Sequence, residues 1–108
     1  MELWIQIEEK NKLLDRAIND LAKNGYDLAE KEKNYKIAVK KKVLELRAEN
    51  MPVTLIQLTI YGYDEIATLR FDRDNAEVKY NSNQEYINLL KLQIRILESQ
   101  LNREYTKG

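Results

Sequence analysis

The chain has 108 residues, with 18 basic side chains against 18 acidic ones and neither cysteine nor histidine. That composition excludes disulfides, thiolate nucleophiles, imidazole bases and nearly every structural zinc site, and zero net charge gives no global support to the counterion release that drives nucleic-acid binding. The length is one domain's worth, yet drawn out as long helices it is too thin to enclose a core alone, so self-association is expected.

The first apolar residues, Leu3, Trp4, Ile5 and Ile7, run straight into Glu8, Glu9 and Lys10, which is not the continuous apolar stretch of a targeting signal. No run nears the roughly 20 apolar residues of a membrane span, and a cysteine-free chain fits the cytoplasm. A first helix is predicted over about 3–49. Ile7, Leu14, Leu21, Leu28 and Tyr35 recur every seventh residue, with Leu3, Ile18 and Gly25 at the offset positions and Leu13, Ala17, Ala22, Ala29 and Ala38 widening the stripe. Glu8–Lys12, Asp27–Lys31 and Glu32–Lys36 are acid-first pairs four apart, the order helices prefer. Asn24-Gly25 is the weak point. Because the stripe resumes in phase at Leu28, a continuous helix with a costly glycine is preferred over a break there.

The connector, about 50–63, is ENMPVTLIQLTIYGYDE in its setting. Met51-Pro52 turns the first helix off. Thr54 and Gln57 fit a capping box, and Val53 and Leu58 stand where a hydrophobic staple would pack, so a short helix from about Leu55 to Ile60 is predicted. The competing reading is an extended segment, since Ile56, Leu58 and Ile60 alternate with Gln57, Thr59 and Tyr61. Gly62 then ends the element, and Asp64 suits the N-cap of the next helix with Glu65 in its first turn.

A second long helix is predicted over about 64–105. Ile66, Leu69, Arg73, Ala76, Tyr80, Asn83, Ile87, Leu90, Ile94, Leu97 and Leu101 keep an alternating three-four spacing, the signature of a supercoiled seam. Arg73 and Asn83 are read as register-fixing polar members of it rather than ligand sites. Tyr86, Leu89, Leu92 and Ile96 form a second stripe, more apolar perimeter than one partner helix covers. The short connector places the two helices antiparallel. The expected fold is therefore all-α, a single long helical hairpin that pairs, through Tyr86, Leu89, Leu92 and Ile96, into a homodimeric four-helix bundle.

Catalysis is not expected. Three glycines build no phosphate-cradling loop, Ser82 and Ser99 have no histidine to activate them, and the Glu-x-x-His motif of helical carboxylate metal sites cannot exist here. Neither a cofactor nor a metal is expected. The chain carries seven tyrosines, and Tyr61 and Tyr63 flank Gly62 beside Met51, Leu55, Ile56 and Ile60. That set is the expected surface for a protein partner, with Trp4 a second anchor open to burial against Leu101 and Tyr105. An alternative is DNA binding, with Lys36, Lys40, Lys41, Lys42 and Arg47 on phosphates and 43–69 as a helix-turn-helix-like unit; the acidic start at Asp64 and Glu65 speaks against it. A scaffold in virion assembly would use the same architecture.

LELRAENMPVTLI, IATLRFDRDNAEVKY and INLLKLQIRILESQLNREY resemble segments of small helical proteins encoded by tailed phages and prophages of Gram-positive bacteria. The resemblance covers about 35–105 and brings no catalytic motif. The group carries glycine where this chain has Asn50, an exchange that a left-handed turn tolerates. It implies a phage origin and a role inside the host cell, nothing more exact. Small phage proteins without catalytic equipment often work by occupying a surface on a host or phage enzyme, so the most concrete expectation is steric inhibition of a nucleic-acid-acting defence complex, as an anti-CRISPR-like protein or nuclease inhibitor.

Overall fold

The structure is a computed structural model that describes residues 2–107. It is all-helical: a long α1 (Glu2–Ala48), a connector holding the short α2 (Val53–Thr59) and a 3-10 turn (Ile60–Gly62), and a long α3 (Asp64–Lys107). No strand occurs among the described residues. α1 passes through Asn24-Gly25 without a break. No helix of the described residues is long and apolar enough to cross a membrane.

Two compact units divide the chain. One comprises the residues up to Asn24 together with those from Tyr80 onward; the other is Gly25–Lys79. α1 and α3 each contribute to both.

In the first unit Ala17, Ile87 and Leu90 form the core, with Leu13, Leu14 and Leu21 packed on it. Leu3 and Trp4 lie near Leu101, Glu104 and Tyr105, so α1 and α3 run antiparallel here. Asn83 joins them chemically: its side-chain oxygen accepts from Asn24 Nδ2 at 2.7 Å, and its own amide donates to the Ala17 carbonyl at 3.0 Å. The inward positions of α1 are thus Ala17 and Asn24. Ile18 is exposed, so the offset position expected there lies one residue too far along, whereas Leu3 and Gly25 are half-buried as expected. The smaller Ala17 faces α3, and the bulkier Ile18 turns to solvent.

In the second unit Leu46, Ile56 and Ile60 form the core, with Val39, Val43, Met51 and Tyr63 against it. Tyrosine rings here carry cations from neighbouring helices: Lys42 stands 4.5 Å from the Tyr63 centroid, Arg70 5.0 Å from Tyr61 and Arg73 4.7 Å from Tyr35. Such contacts let a long charged side chain lie on apolar surface without losing its hydration. Arg73 is further held by Asp74 at 2.7 Å. The Asp74 hydrogen bond raises its pKa above the usual guanidinium value, so any stability this charge contributes is complete at neutral pH and lost only beyond strongly alkaline pH. Every position of the three-four seam in α3 is buried or half-buried, Ile66 completely. Of the three helix-surface pairs expected, Asp27–Lys31 and Glu32–Lys36 form at 3.3 and 3.4 Å, and none joins Glu8 to Lys12.

α1 ends in a Schellman motif. Asn50 takes a left-handed φ of 64°, its N–H donates to Arg47 O at 3.0 Å, and the Met51 N–H reaches Leu46 O at 3.1 Å. Met51 also packs on the cluster of Leu46, Ile56 and Ile60, in keeping with the hydrophobic contact that accompanies this turn. The next helix begins sooner than the sequence suggests. Pro52 is its N-cap with no side-chain hydrogen bond, and Leu55 and Ile56 N–H both bond to Pro52 O at 3.0 Å. The proline rigidly supplies the extended N-cap conformation, so Thr54 falls inside the first turn. The expected capping box of Thr54 and Gln57 is not made, and Val53 and Leu58 stay exposed rather than stapled. At α3 the first helical carbonyl is that of Tyr63, which accepts from Ala67 N–H at 2.8 Å. Tyr63, extended at φ −67° and ψ 134°, is therefore the N-cap, and Asp64 is the first helical residue.

Candidate functional site

The connector of the second unit carries the residues that sequence patterns mark as a docking surface, and the structure sorts them by face. α2 lies against α1, so Ile56 and, four residues on at the C-cap of α2, Ile60 pack with Val39, Val43 and Leu46 and are buried. Neither is available to a partner. Met51 and Tyr63 are half-buried against the same cluster. Leu55 and Tyr61 are exposed, and so are two residues that the sequence assigns to a staple, Val53 and Leu58. Leu58 is 84% exposed, the least covered large apolar side chain among the described residues. The surface open to a partner is thus Val53, Leu55, Leu58 and Tyr61.

Beside these residues runs a groove of ≈ 340 Å³ between α1 and α2, lined by Val39, Val43, Val53, Ile56 and Ile60 with Gln57, Tyr61 and Arg47. Its walls are mostly aliphatic, and Arg47 has no ion-pair partner among the described residues. Arg70, stacked on Tyr61, likewise has none. The arrangement can accept an apolar side chain and place a cation beside it.

The five basic residues proposed for phosphate contact do not form one patch. Lys42 turns inward over Tyr63, its side chain only 23% exposed, and lies 3.7 Å from Glu45. Lys36 pairs with Glu32. At 100° per residue Lys36, Lys40 and Arg47 share an arc of α1 that Lys41 does not reach. Consecutive lysines on a helix necessarily diverge, which the run of three conceals when read as text.

In the first unit Tyr86, Leu89, Leu92 and Ile96 are 43–49% exposed; Leu89, Leu92 and Ile96 share the side of α3 opposite Ile87, Leu90 and Ile94, and Tyr86 lies on the flank between the two. Trp4 lies next to Leu101 and Tyr105 but keeps half its surface open. Among the described residues no group of three or more Asp or Glu side chains stands close enough to hold a metal ion, and every buried side-chain polar atom has a hydrogen-bond partner. No family model, curated protein or solved structure matches this chain.

Proposed function

We propose that the protein is a non-enzymatic binding module that occupies a surface on another protein and assembles as a homo-oligomer through Tyr86, Leu89, Leu92 and Ile96. The observation that carries the docking role is the connector surface: Val53, Leu55, Leu58 and Tyr61 crowd four large apolar side chains onto one short segment, uncovered by its own unit. Leu55 and Leu58 share one arc of α2 while Val53 and Tyr61 border the groove against α1; large apolar side chains left exposed in this way mark interaction sites, and tyrosine gives a large ring with a polar handle at such places. Its action is steric, since the surface supplies contact and no reacting group.

The concrete version is inhibition of a nucleic-acid-acting defence complex in the host cytoplasm, and it rests on the resemblance to phage-encoded helical proteins. An affinity pull-down from host lysate tests it, run with the native protein and with Leu58→Glu and Tyr61→Ala. Both substituted side chains are exposed, so the fold should survive, which circular dichroism checks. A partner held by the native chain and lost by both variants, whose nuclease activity the native protein lowers, is the expected result. Undiminished capture by both variants would remove the connector as the docking surface.

A further inference from the structure

The outward face of α3 in the first unit holds more than apolar residues. Glu85, Leu89, Leu92, Ile96, Ser99 and Arg103 are all exposed and follow one another at four, three, four, three and four residues. That order reads the same from either end, with its midpoint at the level of Ile94. The ends differ in charge. Glu85 and Arg103 have no ion-pair partner among the described residues, and about 27 Å of helix separates them.

We propose that this face is an antiparallel interface with a second copy of this chain, related by a two-fold axis at the level of Ile94. Leu92 then meets the partner's Ile96, Leu89 meets the partner's Ser99, and Glu85 meets the partner's Arg103, each contact occurring twice as two-fold symmetry requires. The three-four spacing is what lets two helices interlock side chains along a seam. Charge selects the direction. A parallel, in-register pair would set Glu85 against the partner's Glu85 and Arg103 against the partner's Arg103, and like charges placed in contact disfavour that register. This inference rests on the reading that copies meet at this stripe and adds their orientation and the two charged residues that set it.

The chain has no cysteine, so engineered thiols report orientation without background. Sedimentation of the native protein should show a dimer that Leu92→Glu converts to monomer; a native monomer overturns both the assembly and its orientation. Glu85→Cys and Arg103→Cys, each oxidised alone, should stay uncross-linked, whereas an equal mixture should give the mixed disulfide dimer. Self-cross-linking of each variant alone, or no cross-link in the mixture, overturns the antiparallel arrangement while leaving self-association standing. Glu85→Lys should weaken the dimer roughly tenfold, and adding Arg103→Glu should restore it. A double variant no tighter than the single one counts against the paired charges.

Discussion

Asn83 shows how much one side chain decides in a thin helical pair. It accepts from Asn24 and donates to the Ala17 carbonyl, so it binds α1 at two levels, and sliding either helix by a heptad would break both bonds. A polar residue at a seam position costs some stability relative to leucine but fixes register. Here the register is that of α1 on α3 within one chain. Asn83→Ala should lower the unfolding free energy by about 1–3 kcal/mol, because it strands the Asn24 amide in a half-buried site. Urea unfolding of Asn24→Ala, Asn83→Ala and the pair should yield a coupling energy of at least ~0.5 kcal/mol. Strict additivity would mean the bond contributes nothing. The contrast is Ile66, completely buried, where Ile66→Ala should cost about 2–5 kcal/mol through lost burial and a cavity.

At the scale of elements, the end of α1 depends on one left-handed residue. Asn50 at φ 64° adopts a conformation that glycine takes freely, asparagine tolerates and β-branched residues resist. Asn50→Gly should therefore leave thermal stability nearly unchanged, whereas Asn50→Val should lower it by about 1–2 kcal/mol, and equal melting temperatures for the two would disprove the strained turn. Gly62 is the opposite case: its φ is not positive and an added Cβ meets nothing within 4 Å. Gly62→Ala should stabilise by about 0.4–1 kcal/mol by restricting the unfolded chain. These elements also show what the sequence discloses. The seam of α3 was legible position by position, because its large aliphatic residues repeat at three-four spacing with few rivals. The seven-residue stripe of α1, Ile7, Leu14, Leu21, Leu28 and Tyr35, is inward as its spacing predicts, and only the offset position at Ile18 is misassigned, since Ile18 outweighs Ala17 in hydropathy while the close approach of α3 favours the smaller side chain. The connector misled for a related reason. Ile56 and Ile60 look as dockable as Leu55 and Leu58 in a list, and only the face on which α2 meets α1 separates core from surface. The N-cap at Pro52 was hidden because the Thr54–Gln57 spacing imitates a capping box two residues later.

For the molecule as a whole, charge is the property that separates binding to protein from binding to nucleic acid. Basic and acidic side chains are equal in number, and two of the five basic residues in the region that could have gripped phosphate, Lys36 and Lys42, are engaged by Glu32 and Glu45. Neutralising several phosphates at once needs several unengaged cations on one face, since each released counterion adds to the salt dependence. A protein making about 6–10 phosphate contacts loses about 10³–10⁵ in affinity between roughly 50 and 200 mM salt. Titrating labelled duplex DNA at those two salt concentrations should accordingly give weak binding with no steep fall between them. Glu32→Gln and Glu45→Gln sharpen the comparison, because each frees a lysine without adding a positive residue. Because Lys36 and Lys42 lie on different faces of α1, the double variant should bind no more steeply than the native chain; salt-steep binding gained by it would show that the two acids alone keep these lysines from phosphate. Tight, salt-steep binding by the native protein would instead return α1 and the connector to a DNA-binding role and displace the protein-docking reading.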